Sequence, residues 1–228
     1  MSASAIKDSR DGERLGTREG LYPRALGVRF VFLPRTLRQI HGRAGRQRYR
    51  GEGQVERGHG LIAGLMARVA RLPKAHDGPI EVEIDAGPRG ETWTRRFGKS
   101  VMRSRLIERD GLVLERLWPM RFAFVFDLDG EIADAAASGT RPLDNGASVT
   151  VSSPVMPLAT PLHGPDDPGL SWRLVRVRLL GLPLPAGWFE GMRAREFERE
   201  GRYHFEVSAQ LPLVGLLVRY RGWLEVAE

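Results

Sequence analysis

Between residues 80 and 128 nearly every second residue is apolar, and the runs are broken only by turns a few residues long. Ile80, Val82, Ile84 and Ala86 alternate with Glu81, Glu83 and Asp85. "GPRG" leads into "ETWTRRF", Gly98-Lys99 into "SVMRSRLIER", and Asp110-Gly111 into "LVLERLW". "MRFAFVFDL" then places Met120, Phe122, Phe124, Phe126 and Leu128 on one side. A period of two belongs to a half-buried strand, whose side chains point alternately to its two faces. Parallel strands need a crossover of a dozen or more residues, so breaks this short leave only antiparallel pairing. This stretch is expected to be a meander, with a type I′ turn at Asp110-Gly111.

The pattern returns near the C-terminus. In "LSWRLVRVRLLG" (170–181), Trp172 and Leu174 face one way, whereas Val175, Val177 and Leu179 need the opposite parity. A β-bulge near Leu174–Val175 reconciles them. "RYHFEVSAQL" puts Tyr203, Phe205, Val207, Ala209 and Leu211 on one face. The last run puts Val214, Leu216, Val218, Tyr220, Leu224 and Val226 on one face and Arg219, Arg221 and Trp223 on the other. "RQRYRGEGQVERG" (46–58) alternates weakly and is polar, so it is expected at a sheet edge or in a loop.

Helical spacing is confined to the first third. Pro34 suits a helix start, with Leu37, Ile40 and His41 on one face of the short helix that follows. In "LIAGLMARVARL" (61–72), Leu61, Leu65, Val69 and Leu72 form a stripe flanked by Ile62 and Met66, and Pro73 ends it. The expected fold class is therefore α+β: a large curved antiparallel sheet, half-barrel-like, packed around one main N-terminal amphipathic helix at 61–72. Residues 1–19 are polar and aperiodic and are expected to form a disordered leader. Residues 20–228 are expected to form a single domain. Within it, the Ala-, Gly-, Ser- and Pro-rich segment 130–169 is expected to be a mobile insertion, although its "ASVTVSS" has strand character.

One motif suggests a nucleotide. Gly58, Gly60 and Ala63 in "ERGHGLIAGL" fit G-x-G-x-x-A. A dinucleotide fold needs a buried parallel strand before those glycines and a succession of βα units after them. Here "RGEGQVER" precedes the motif and hairpins follow it. The glycines are expected to serve as the turn before a helix, and no cofactor is expected.

The remaining chemistry is sparse. The chain has no cysteine, which excludes disulfides, thiolate catalysis and cysteine-ligated metals. His41, His59, His76, His163 and His204 lack metal-ligand spacing, and each is expected at the surface or at a cap. There is no G-x-S-x-G elbow. No run of about 18 apolar residues could span a membrane as a helix, and the expected location is cytoplasmic. The net charge of +7 permits an acidic partner without naming one. "RQRYRGEG" gathers Arg46, Arg48 and Arg50 around Tyr49, but Glu52 and Glu56 dilute the charge, so nucleic acid is not an expected partner. Arg219, Arg221 and Trp223 could bind an anionic head group by charge and stacking, and Arg95 beside Trp93 repeats that pairing. An arginine lying on an aromatic ring as ordinary sheet packing explains both equally.

At "LPRTLRQIHG", "WTRRFG", "GLPLPAGW" and "LVRYRGWLE" the chain resembles a bacterial family known as domain of unknown function 4166. The likeness covers roughly residues 20–128 and 170–226, with the 130–169 segment as a departure. Members occur alone or fused behind a saccharopine-dehydrogenase-like NAD(P)-binding domain. The resemblance implies a domain that works beside a dehydrogenase-like partner, with the nucleotide chemistry in the partner. It implies no catalytic residues.

The expected function is that of a non-enzymatic binding or accessory domain enclosing a lipid-like or other hydrophobic small molecule. The motive is the aromatic excess on the inward parity: Phe122, Phe124, Phe126, Trp172, Tyr203, Phe205 and Tyr220. The candidate ligand-binding set is completed by Arg219, Arg221 and Trp223. The same aromatics could instead simply fill a core. One alternative is the substrate or accessory domain of a two-part NAD(P)-dependent oxidoreductase. The other is a structural domain that docks a partner protein.

Overall fold

The computed structural model of the chain describes residues 20–138, 140–142, 148–150 and 167–226. Two short helices, α1 (Leu21–Leu26) and α2 (Arg35–His41), flank a 3₁₀ turn at Gly27–Phe32. Strand β1 (Gly45–Arg57) leads to α3 (Leu61–Val69). The meander follows as β2 (His76–Gly87), β3 (Gly90–Phe97), β4 (Ser100–Arg109), β5 (Leu112–Leu117) and β6 (Met120–Leu128). After α4 (Gly130–Ser138), β7 (Thr140–Pro142) and β8 (Ser148–Thr150) pair with each other as a separate small sheet. The main sheet resumes with β9 (Gly169–Leu179), the short β10 (Leu182–Leu184), β11 (Arg193–Arg199), β12 (Arg202–Leu211) and β13 (Gly215–Val226).

The strands run in the order β9-β11-β12-β13-β1-β2-β3-β4-β5-β6, and β6 pairs back onto β9 from Met120↔Leu179 to Leu128↔Leu170. The ten strands therefore close into an antiparallel barrel, with β10 hanging from β9. This overturns the expected open half-barrel of α+β class. Closure removes the exposed edges that an open sheet of this size would carry. It also explains why the polar 46–58 run is neither edge nor loop. β1 is paired on both sides, with β13 and β2. Its glycines admit the close neighbour: a Cβ on Gly51 would lie 1.8 Å from the Trp223 carbonyl oxygen.

The second correction concerns what fills the barrel. Helix α3 does not. It lies across the strand ends and turns only its small residues inward, so that Ala67 is fully buried and Ala63 is buried against Leu211 and Leu217. The stripe read as its core face points to solvent, with Leu61 94% exposed and Ile62, Leu65 and Val69 also exposed. The segment that enters the barrel is instead the N-terminal pair. Leu21, Tyr22, Leu26, Leu33, Leu37 and Ile40 are all buried in the main core. α1 and α2 close the lower end, where the 88–89, 110–111 and 200–201 turns lie. α3 sits at the upper end with the 98–99, 118–119, 180–181 and 212–214 turns.

Several local expectations hold. Val175 is the extra residue of a bulge, since Phe124 pairs with Leu174 and Ala123 with Arg176. Asp110 and Gly111 both take positive φ, at 55° and 74°, as a type I′ turn requires. On β13, Val218, Tyr220 and Leu224 are buried. A register shift beside Ala209–Gln210 buries Leu217 rather than Leu216, and Val226 is exposed at the strand end. Gly58 and Gly60 form the turn from β1 into α3, within an antiparallel barrel. The leader at 1–19 and much of 130–169 lie outside the described residues. The described start of that segment is α4, whose Ile132 and Ala136 join the main core.

Candidate functional site

A barrel of about eight strands is just wide enough for its own side chains to fill, and ten strands leave more room. The interior here holds a cavity of about 130 Å³. Its walls come from the inward parity of the strands, with Phe97, Met102, Phe122, Phe124, Phe205 and Val207 among the apolar groups. Ala70 and Leu72 behind α3, with Phe189 and Met192, line its upper end. The Arg57 guanidinium ties that end down by donating from Nη1 to the Leu72 and Pro73 carbonyls, at 3.2 and 2.8 Å.

Towards the lower end the lining becomes polar. Glu196, on the inward parity of β11, accepts a hydrogen bond on Oε1 from the Tyr22 hydroxyl at 2.9 Å. Its Oε2 is 2.9 Å from His41 Nε2, although the contact is out of line for a hydrogen bond. The His41 ring is stacked on Tyr22, with centroids 3.5 Å apart, and faces Trp93 at 5.6 Å. Glu91 plays the same joining role nearby. Its Oε1 accepts from the Leu21 backbone N–H and its Oε2 from Trp93 Nε1, both at 2.9 Å. Burial, with the Glu196 carboxylate as the next cause, pushes the Tyr22 and Tyr203 phenols well above the ordinary tyrosine value of 10.

Two features of the wall could engage a bound molecule. Arg95 reaches inward from β3, its guanidinium 4.6 Å over the Trp93 ring. It donates to Ser104 Oγ at 3.0 Å and lies 3.8 Å from Glu115 Oε1. Across the cavity, the Trp172 indole N–H is buried without a hydrogen-bond partner among the described residues. A buried donor left unpaired costs on the order of 1–3 kcal/mol. Among the described residues no three His, Asp or Glu side chains converge to hold a metal ion.

The candidate set read from the sequence divides between the two faces of the wall. Phe122, Phe124, Trp172, Tyr203, Phe205 and Tyr220 line the cavity. Phe126 is inward but sealed below it, packed on Trp172 and Tyr22. Arg219, Arg221 and Trp223 are on the outer face: Arg219 meets Glu56, Arg221 donates to Gln54, and Trp223 carries Arg202 over its ring. Four interior residues were not singled out by the sequence reading, namely Tyr22, Glu91, Glu115 and Glu196. His41, expected at the surface or at a cap, is 2% exposed. The legible signal for the acids was parity, because Glu91 shares a face with Trp93 and Phe97, and Glu115 with Val113 and Leu117.

A ten-stranded antiparallel barrel, plugged at one end and hollow towards the other, is the class of protein these features define. A family model described as Domain of unknown function (DUF4166) matches residues 33–224, and the chain belongs to that family. The match begins just before α2 and runs through β13 to Leu224. No curated protein sequence matches the chain.

Proposed function

We propose that this domain is a binding protein that encloses a small hydrophobic molecule carrying an oxygen acceptor. The observation that supports it most is the conjunction of an apolar cavity with a buried, unpartnered donor on its wall, the Trp172 indole N–H. A carbonyl, hydroxyl or carboxylate oxygen on the guest would satisfy that donor, while the body of the guest would be desolvated among Phe122, Phe205 and Val207. Arg95 supplies positive charge on the facing wall. At about 130 Å³ the space suits a body of one aromatic ring or a short branched alkyl group. It is smaller than the roughly 300–1,000 Å³ of a drug-sized site. An engineered protein cavity of about 150 Å³ takes up benzene, so the scale is workable.

The test uses the whole chain and a probe of one ring with an oxygen, phenol, followed by titration calorimetry. The expected result is saturable binding to one site. Val207→Trp, which fills the cavity from β12, should abolish that binding while leaving a cooperative melt. Absence of saturable binding, or equal binding by a folded Val207→Trp variant, would overturn the proposal.

A further inference from the structure

Arg105, Arg116, Arg121 and Arg178 stand directly opposite one another on β4, β5, β6 and β9, forming one row across four neighbouring strands. Arg103 and Arg176 flank the row on the same outer face. All six are exposed, and none has an ion pair or side-chain hydrogen bond to a described residue. Strand spacing sets the row's length at about 14 Å. Like charges directly opposite each other on a sheet are destabilising, so the row gives the fold nothing.

On β5, β6 and β9 the row lies one residue pair below the upper end of the strands, whereas Arg105 lies in the middle of β4. Immediately above its β5, β6 and β9 members, in the β5–β6 and β9–β10 turns, are Trp118 and Leu180, 51% and 64% exposed. The rest of that rim is apolar as well. Leu182 and Trp188 follow on β10 and its connection, Leu213 tips the β12–β13 turn, and α3 turns Leu61, Ile62 and Leu65 outward. These groups sit on five separate projections around the end of the barrel where Ala70, Leu72, Phe189 and Met192 line the cavity.

We infer that this end of the barrel docks on an anionic lipid bilayer. The rim side chains would enter the boundary between head groups and acyl chains, and the arginine row would meet the head-group phosphates. Tryptophan at the interface, apolar tips beyond it and unpaired basic residues behind it are the three elements of interfacial binding. Guanidinium is the side-chain cation best matched to phosphate. Nucleic acid would satisfy the arginines but leave the apolar rim in water. Separate convex tips penetrate a fluid phase more readily than they match one flat protein surface. The inference stands whether or not the cavity takes a guest.

The test is sedimentation of the whole chain with vesicles of phosphatidylcholine, with and without phosphatidylglycerol. Binding to the mixed vesicles is expected, weakened by salt and about tenfold or more weaker on phosphatidylcholine alone. Arg116→Gln with Arg121→Gln should reduce it by a similar factor without lowering the melting temperature. Leu61→Ser with Leu65→Ser should weaken it separately. The inference fails if neither vesicle binds the chain, if the folded double-arginine variant binds as well as the parent, or if a single-stranded oligonucleotide binds more tightly than the mixed vesicles. It also fails if the parent is a dimer that Leu61→Ser with Leu65→Ser dissociates, which would make a second copy the occupant of the rim.

Discussion

His41 Nε2 lies 2.9 Å from Glu196 Oε2, which brings the last residue of α2 against the wall of the barrel in β11. The other oxygen of the same carboxylate accepts from Tyr22 on α1. One side chain thus fastens both helices of the plug, across 174 residues of sequence in the case of Tyr22. Leaving a buried polar group without its hydrogen-bond partner is costlier than removing an exposed ion pair. Glu196→Ala is expected to lower stability by about 1–3 kcal/mol, because it leaves the buried Tyr22 hydroxyl without its acceptor. Glu83→Gln, which breaks only the outer contacts to Arg46 and Arg48, is expected to cost about 1 kcal/mol or less. Urea unfolding of the two variants decides the matter, and equal costs would mean that the plug is held by its apolar contacts alone.

The orientation of α3 makes an unusual demand: its small residues matter and its large ones do not. Ala67 is fully buried, and Ala63 is nearly so, in the cluster formed with Leu211 and Leu217. Ala67→Leu should force the helix off β13 and destabilise by about 1–3 kcal/mol. Leu65→Ser, on the outward face, should change stability by no more than about 0.5 kcal/mol. Thermal melts in which Leu65→Ser proved the more damaging would place the helix the other way round.

The two faces of β13 give a second contrast. Leu224 is buried in the core, whereas Arg221 is exposed and, among the described residues, donates to Gln54 alone. Leu224→Ala should cost about 2–5 kcal/mol. Arg221→Ala should cost about 1 kcal/mol or less. A urea midpoint for Arg221→Ala as low as that for Leu224→Ala would show that the guanidinium is engaged on the inside.

The strands were readable because each carries its own period. From β2 to β6 the alternation, the tight turns and even the Val175 bulge of β9 are local properties, and local properties survive in one sequence. Closure was not readable. It depends on β6 finding β9 across more than forty residues, and nothing in "MRFAFVFDL" distinguishes pairing on one side from pairing on both. The polar character of β1 misled because an outer face may be as polar as an edge. α3 misled because an amphipathic stripe shows that two faces differ, not which one is covered. Its inward side is the alanine side. Of the interior site, the aromatic walls were legible from parity. The acids Glu91, Glu115 and Glu196 were legible only as exceptions to it, and their partners Tyr22 and His41 come from helices whose destination the periodicity does not reveal.

All four tyrosines of the chain are buried, and their ionisation reports on the interior as a whole. Burial pushes the Tyr49 and Tyr220 phenols up to about 12 and holds Tyr22 and Tyr203 well above 10. An unfolded chain would ionise them near 10. A group whose pKa is raised by folding is protonated more readily in the native state. Its contribution to stability is therefore complete below pH 10 and is lost as pH rises towards and through the native value. Absorbance at the tyrosinate band should stay flat past pH 10 in the folded protein and then rise for all four residues together, coincident with loss of the folded circular-dichroism signal. In denaturant the same rise should centre near pH 10. Tyr22→Phe removes one of the four phenols whose raised pKa drives alkaline unfolding, so its stability should fall less steeply above pH 10 than that of the parent. A native titration with one or more tyrosines ionising near pH 10, ahead of unfolding, would show that water reaches the phenols and that the barrel is open where it is described as closed.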